Sequence, residues 1–287
     1  MANKVYDYVT QNIIKQLEEG TIPWQKPWEN GVPINYITRK PYRGINLFLL
    51  PAGGEYLTFN QVKKLGGKVK KGSKSNMVVF WKPVEYEKEK TTSNGKKEVE
   101  KVTIPILRYY KVFHLSDTEG IPSKLETIDN DLIESAEEIL KGYTEVPIVY
   151  KENRAYYSPS KDFINVPAIN QFPKVEEYYC TAFHEIVHST GLEGRLNRFK
   201  STDSVIFGSE TYSFEELVAE LGASMLCGIA GIEEVIIENS ASYIDGWLKK
   251  LKGDSSFIVK ASAQAQKACD FVLKVAETEV KEDEEVA

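Results

Sequence analysis

The sequence predicts an α+β fold divided into two domains, residues 1–125 and residues 126–287, and three observations lead to that prediction. The chain has 287 residues, of which 42% are hydrophobic and 11% aromatic, so it can form one large core or two ordinary ones. Segments with helical and with strand periodicity occur in both halves. Residues 1–125 carry 21 Lys/Arg and 12 Asp/Glu, a net charge of +9, whereas the remaining residues carry 15 and 30, a net charge of −15.

Composition excludes several protein classes. The three cysteines, Cys180, Cys227 and Cys269, are odd in number and form no CxxC pair, which argues against a disulfide framework and favours a reducing compartment. The first 20 residues lack the apolar segment of a signal peptide, and no apolar run is long enough for a membrane helix. We therefore expect a cytoplasmic protein with no membrane partner.

The N-terminal half begins with an amphipathic helix that Gly20 ends, and the two prolines of TIPWQKPW forbid its continuation. A turn, RKPYRG, precedes the apolar run INLFLL. Residues 56–84 indicate a short helix, a lysine-rich loop and a strand, residues 85–103 a solvated hairpin tip, and residues 106–115 a second strand. Residues 116–127 are a plausible linker.

The C-terminal half has a different pattern. It begins with a capped helix, DNDLIESAEEILKGY, followed by two or three strands between residues 146 and 167. Two further helices are predicted: VEEYYCTAFHEIVHSTG, ended by Gly191, and SFEELVAELGASMLCGIAG, capped by Ser213. The last 45 residues are mostly helical and finish in an acidic tail.

The motif HEIVH, residues 184–188, indicates a metal site. Positions four apart lie on one face of a helix, so His184 and His188 can bind one ion together. Glu185 would then lie beside the open coordination position and act as the catalytic carboxylate, accepting a proton from water whose pKa the ion has lowered. The pattern predicts a zinc-dependent, metallopeptidase-type site.

A catalytic zinc needs a third protein ligand. The variant HExxHxxGxxH fails here, because Gly191 fits but position 194 is Gly instead of His. The alternative takes a Glu from a later helix, and EELVAE offers three. Helix phase favours Glu216 as the ligand and Glu220 as a carboxylate that accepts a ligand histidine N–H, with Glu215 in reserve.

Two other residues are candidates of lower rank. Cys180 lies four residues before His184 and could ligate in principle, but a small buried residue is the better interpretation. His114, in a strand, receives no role. For the ion itself, imidazole and carboxylate ligands suit one zinc per chain, with manganese or cobalt as substitutes.

The basic half indicates a polyanion partner. From Tyr56 to Val84 there are seven lysines and no acidic residue, and aromatic residues are interspersed or lie upstream. Lysines that neutralise phosphates beside rings that stack on bases are what single-stranded DNA binding requires. The candidate DNA-binding residues are Trp24, Trp28, Tyr42, Arg43, Lys63, Lys64, Lys68, Lys70, Lys71, Lys74, Trp81 and Lys82.

At this point the chain resembles a known family, the ArdC-type antirestriction proteins of conjugative plasmids and related mobile elements. The N-terminal segments that carry the resemblance are LEEGTIPWQKPW, PINYITRKPYRGINLFLL, YLTFNQVKKLGGKVKKGSKSNMVVFWK and YYKVFHLSDTEG. In the second half they are FHEIVHSTGLEGRLNR, FGSETYSFEELVAELGASML and YIDGWLKKLK with AQAQKACDFV. One departure is His114, where the family pattern has Asn.

The resemblance implies an N-terminal single-stranded-DNA-binding domain and a C-terminal zincin-like metallopeptidase domain. By matching motif it implies His184, His188 and Glu216 as metal ligands and Glu185 as the general base. It also implies protection of incoming single-stranded DNA during conjugation, and leaves open whether the site cleaves a protein.

Three functions compete. The first is a DNA-binding protein that also hydrolyses a protein partner, such as a host defence protein. The second is a DNA-binding protective protein whose metal site is structural or accessory. The third is a peptidase whose basic half only selects an acidic substrate. A structural zinc needs four protein ligands and no Glu185, which favours retained hydrolase chemistry, and the charge split favours the first two functions. The first function also predicts that the two halves act separately.

Overall fold

The computed structural model describes residues 2–19, 22–24, 32–91, 97–125, 132–172, 174–199, 210–232 and 240–275. Mixed helices and sheets confirm the predicted α+β class. Within the described residues, no helix combines the length and the apolar composition that crossing a bilayer requires.

The N-terminal half is built on a four-stranded sheet of order β1-β2-β5-β4. Strands β1 and β2 are parallel, and the β2–β5 and β5–β4 pairs are antiparallel. A small second sheet pairs β3 with β6. The elements are α1 (Ala2–Glu18), β1 (Pro33–Asn35), α2 (Asn46–Leu49), β2 (Gly54–Thr58), α3 (Phe59–Lys64), β3 (Lys68–Val69), β4 (Asn76–Thr91), β5 (Lys97–His114) and β6 (Thr118–Glu119).

Local sequence explains where several of these elements begin and end. Helix α3 starts with a capping box, in which Thr58 and Gln61 each bond the other's backbone N–H. Strands β4 and β5 form one long hairpin, so most of residues 85–103, predicted as a solvated tip, belongs to strands. The tip at residues 92–96 lies outside the described residues.

Residues 116–125, the described part of the segment predicted as a linker, are fixed to the N-terminal half. The buried Glu55 carboxylate accepts hydrogen bonds from Ser123 Oγ at 2.8 Å and from the Lys124 backbone N–H at 3.1 Å, and it pairs with Arg39. Tyr36 Oη donates to the Pro122 carbonyl oxygen at 3.0 Å. The chain is therefore held to the first sheet as far as residue 125, although the domain boundary itself stays a prediction.

The C-terminal half packs helices around a three-stranded sheet of order β7-β9-β8. Three strands form where the sequence predicted two or three. The HEIVH helix ends at Thr190, directly before Gly191, as predicted. The second predicted helix starts earlier, at Glu210, so Ser213 lies inside it and is not its cap. The elements are α4 (Leu132–Gly142), β7 (Ile148–Val149), β8 (Tyr156–Ser158), β9 (Phe163–Asn165), α5 (Val175–Thr190), α6 (Glu210–Ala230), α7 (Ser240–Gly253) and α8 (Phe257–Val272).

One hydrophobic core runs through both halves. Val9 and Ile13 of α1 belong to the same buried cluster as Leu217 of α6 and Trp247 of α7. The Trp24 ring packs edge-on against Trp247 with ring centroids 5.3 Å apart. The N-terminal helix thus completes the helical layer of the C-terminal half.

Candidate functional site

Helix α5 places the two motif histidines on one face. Glu176 and Glu177 in its first turn favour the helix through the positive N-terminal dipole. His184 and His188 are one turn apart, and their Nε2 atoms lie 3.1 Å from each other. The spacing in the sequence therefore produces the convergence that the motif predicts.

Helix α6 crosses α5 closely because Gly222 has no side chain. A Cβ atom at this position would lie 2.7 Å from Cγ2 of Val187, closer than van der Waals contact allows. The glycine lets the two backbones approach and brings the first turns of α6 over the motif histidines.

Glu216 of α6 faces both imidazoles. Its Oε2 atom lies 3.6 Å from His184 Nε2, and its Oε1 atom lies 3.4 Å from His188 Nε2. Ligand atoms of these three residues all lie within 4.8 Å of one another, and no other such group of three or more ligating side chains occurs among the described residues.

The arrangement fits a divalent ion. Two ligands about 2.1 Å from a tetrahedral zinc ion are separated by about 3.4 Å. The observed separations of 3.1, 3.4 and 3.6 Å bracket that value. The side chains of the two histidines and Glu216 are 13–14% exposed, so the cluster is largely buried and keeps a path to solvent. Two nitrogens and one carboxylate are a donor set that zinc accepts, and a fourth position remains for water or substrate.

The electrostatic potential of the site favours a cation. Burial opposes protonation of the imidazoles, but carboxylates outweigh it: Glu216 raises the pKa of His184, and Glu215 and Glu216 raise the pKa of His188 well above its ordinary value. Burial acts to raise the pKa of Glu216, yet the two imidazoles hold that pKa well below its ordinary range. Positive charge is thus stabilised where the ligand atoms converge.

Glu215 supports His188 from behind, a role that the sequence did not indicate. Its Oε1 atom lies 3.4 Å from His188 Nδ1. Arg198 donates to both carboxylate oxygens of Glu215, at 2.9 Å from Nε and 2.7 Å from Nη2. The same guanidinium donates to the Val187 carbonyl oxygen and to Thr190 Oγ1. This buried network favours a proton on Nδ1 and directs Nε2 toward Glu216.

The expected hydrogen bond from a ligand histidine to Glu220 is not formed. Glu220 is buried on α6, and its charge helps to raise the pKa of His184. However, His184 Nδ1 has no hydrogen-bond partner among the described residues, and His188 Nδ1 faces Glu215. The carboxylate that supports a motif histidine is therefore Glu215, one residue before Glu216, and not Glu220, four residues after it.

The remaining motif residues are also located. Glu185 is 8% exposed, and its charge contributes to the raised pKa of both histidines, so it lies beside the cluster. Cys180 is fully buried with its Sγ 3.0 Å from Sγ of Cys227, away from the ligand atoms, as its small-residue interpretation requires. His114 bonds Ser116 and lies in the other half.

Three candidate DNA-binding residues are partly or fully buried or are paired within the protein, although the Arg43 side chain stays 48% exposed. Trp24 is fully buried against Phe48 and Trp247, so the prediction that its ring stacks on bases is wrong for this conformation. Arg43 donates to Asp270 at 2.6 Å, and Tyr42 is half-buried, which raises its pKa to about 12. Trp28 and the Trp81 side chain lie outside the described residues.

The candidate lysines are all exposed. Lys70 is partly engaged, because its Nζ donates to the Ser116 carbonyl oxygen at 2.7 Å. The exposed candidates are Lys63, Lys64, Lys68, Lys70, Lys71, Lys74 and Lys82.

Sequence reasoning did not select several other exposed residues of the N-terminal half. Arg108 and Lys111 of β5 are exposed cations, and Phe59 and Tyr109 are exposed aromatic residues. Side chains of the strand ILRYYKVFHL alternate between the two sheet faces. This alternation places Tyr109 on the same face as the buried Leu107, which the sequence alone could have shown.

Two family models match the chain. Residues 3–113 match the N-terminal domain of the anti-restriction factor ArdC, and residues 134–264 match a zincin-like metallopeptidase family, MPTase-PolyVal. Each match lies within one half of the chain, in the order that the resemblance implied.

Proteins similar to this chain lead to the same family as these two matches. The crystal structure of the antirestriction protein ArdC from plasmid R388, in its metal-free form, is 34% identical with a TM-score of 0.75, and the match covers 94% of this chain and 96% of that one. The Mn(II)-bound structure of that protein is 33% identical with a TM-score of 0.74, covering 94% and 97%. A DNA primase TraC of Escherichia coli is 35% identical over 96% of this chain, which spans only 28% of the TraC length.

Proposed function

Because the chain belongs to the ArdC family of antirestriction proteins, we propose that it binds single-stranded DNA through its basic half and hydrolyses peptide bonds of a protein partner at a zinc site. The observation that carries the proposed hydrolysis is the convergence of His184, His188 and Glu216 beside Glu185. The exposed lysines of the N-terminal half support the proposed DNA binding.

The divalent ion, when bound, would polarise the peptide carbonyl and lower the pKa of water. His184, His188 and Glu216 would hold it. Glu185 would act as the general base, accepting a proton from the attacking water and passing it to the departing amine. Burial of the cluster limits competing solvent and strengthens each of these interactions.

The number of protein ligands distinguishes a catalytic metal site from a structural one. Structural zinc sites have four protein ligands, whereas catalytic sites have three and an open position. Three ligating side chains converge among the described residues, and a carboxylate that a structural ion does not need lies next to them. This favours a catalytic site over the protective protein with an accessory metal.

Glu185→Gln should abolish hydrolysis and leave zinc content and DNA binding unchanged. The substitution removes the general base but keeps both histidines and the side-chain volume. We would count new N-termini produced in a bacterial lysate by mass spectrometry, measure zinc by elemental analysis, and measure binding of labelled single- and double-stranded DNA by anisotropy.

His184→Ala/His188→Ala is the matched control, because it should lose the metal as well as the activity. Equal numbers of new N-termini from wild type and Glu185→Gln would refute hydrolysis at this site. Loss of DNA binding in Glu185→Gln would show that the two functions are coupled. Absence of single-stranded DNA binding by the wild type would refute the DNA-binding half of the proposal.

A further inference from the structure

Strand β5 leaves part of one sheet face uncovered. Side chains alternate along a strand, so Leu107, Tyr109 and Lys111 project from the same face. Leu107 is buried, whereas Tyr109 is 53% exposed and Lys111 is exposed. In the register with β4, Tyr109 lies opposite Val79, which is buried. A large ring is therefore presented to solvent beside a core position.

The uncovered part lies between two packed regions. At one end, Phe113 pairs with Leu57, which packs on Val62 of α3. At the other end, Leu107 and Val79 enter the large core that includes α1. Tyr109 and Lys111 lie between these ends and are the exposed residues of this stretch of the strand face.

Helix α3 contributes a second exposed ring next to this stretch of β5. Thr58 pairs with Val112, so Phe59, the first residue of α3, emerges beside Lys111. Phe59 is 57% exposed, although the apolar side of α3 is buried. Lys63 is exposed one turn later, on the same side of the helix as Phe59.

The positive charge near these rings indicates which ligand they bind. Residues 56–84 contain seven lysines and no Asp or Glu, and Lys63 and Lys111 are exposed, so phosphate groups near Phe59 and Tyr109 meet cations. Exposed rings among lysines accept bases of any sequence by stacking, whereas a duplex keeps its base faces covered. Both features match single-stranded DNA.

We infer that Tyr109 and Phe59 are the base-stacking platform for single-stranded DNA and that Lys111 and Lys63 contact its phosphates. This inference rests on the proposed DNA binding and adds the residues that perform it. Tyr109 and Phe59 take the stacking role that the sequence had assigned to Trp24, which is buried. Because Tyr109 lies on a strand of the sheet, its ring has a fixed orientation.

The test compares variants of the full chain for binding of labelled oligothymidine by anisotropy at several salt concentrations. Tyr109→Ala should weaken binding roughly 5- to 100-fold without changing the salt dependence, because it removes stacking and no charge. Tyr109→Phe should retain most of the affinity, since stacking needs the ring and not the hydroxyl. Lys111→Ala should lower the slope of log affinity against log salt by about 0.7.

Two matched controls come from the chain itself. Tyr150→Ala removes a tyrosine that is 56% exposed in the acidic half, and it should leave affinity unchanged. Arg108→Ala removes an exposed cation that alternation places on the opposite face of β5, and its effect should be smaller than that of Lys111→Ala. Thermal unfolding of each variant would identify any loss of folding.

The outcomes separate the two proposals. If the wild type does not bind oligothymidine, the proposed DNA binding fails. If the wild type binds and folded Tyr109→Ala matches Tyr150→Ala, the platform is wrong while DNA binding stands. A larger effect of Arg108→Ala than of Lys111→Ala would assign binding to the opposite face and also overturn the inference.

Discussion

Two adjacent glutamates at the start of α6 have different partners. Glu216 faces the Nε2 atoms of both histidines, whereas Glu215 lies behind His188 and is held by the Arg198 guanidinium. Adjacent helix positions point about 100° apart, so one residue can serve as ligand while the next supports a ligand. The two carboxylates should therefore respond differently to substitution.

Glu216→Ala should abolish tight zinc binding, and Glu215→Gln should weaken zinc affinity by roughly 10- to 100-fold. The first change removes a ligand. The second keeps the side-chain volume but removes the charge that orients His188 and neutralises the buried Arg198. Competition with a fluorescent chelator measures both affinities.

Glu193→Gln is the control, because Glu193 is exposed in the loop after α5. Glu215→Gln should also lower the unfolding temperature, since a buried arginine loses its counter-charge. Stoichiometric zinc in Glu216→Ala together with its loss in Glu215→Gln would place the ligand one residue earlier.

At this scale the sequence predicted which candidate ligands would converge better than it predicted what supports them. The four-residue spacing of His184 and His188 and the helix phase of Glu216 are local properties, readable from periodicity. The role of Glu215 depends on Arg198, which reaches it from a separate loop. That partnership arises from tertiary packing and leaves no local pattern.

At the scale of elements, the contact between α5 and α6 sets the geometry of the site. The candidate ligands come from both helices, and Gly222 determines how closely the helices approach. Any increase in their separation would move Glu216 away from the histidines.

Gly222→Ala should destabilise the protein by about 1–3 kcal/mol and weaken zinc binding. The added methyl group would lie 2.7 Å from Val187 Cγ2, in a fully packed contact. Gly246→Ala in α7 is the matched control, because beyond its chain neighbours and its own helix backbone no described atom lies within 4 Å of its Cβ position. That change should stabilise the helix by roughly 0.5–1 kcal/mol. Chemical denaturation and chelator competition would measure both variants, and an unchanged zinc affinity in Gly222→Ala would contradict this account.

Most elements followed from sequence periodicity, whereas their long-range partners did not. The amphipathic pattern of α1 predicts a helix, but its buried face contacts α7 and α8, more than 200 residues later. The same holds for Trp24, whose burial depends on Trp247. A tryptophan between prolines in a basic half resembles a stacking residue until its distant partner is known.

At the scale of the whole molecule, the opposite charges of the two halves suggested separable modules, but the packing joins them. Polar contacts cross between the halves beside the shared core. Thr10 Oγ1 donates to the Ser255 carbonyl oxygen at 2.6 Å, and the Gly44 N–H donates to Gln266 Oε1 at 2.8 Å. Ser224 of α6 donates to the Trp24 carbonyl oxygen. The helix that carries Glu216 is thus bonded to the N-terminal segment.

The isolated fragment 1–125 should therefore lack a cooperative unfolding transition. Cutting after residue 125 would expose Val9, Ile13 and Trp24, which are fully buried in the core shared with α6 and α7. Each large apolar side chain returned to water costs about 1.5–3 kcal/mol, and several such losses exceed the stability of a typical domain. Circular dichroism during heating would measure the transition, and mixing the fragment with residues 126–287 should restore it. A fragment 1–125 that melts cooperatively near the temperature of the full chain would show that the halves are independent, and single-stranded DNA binding could then be assigned to it alone.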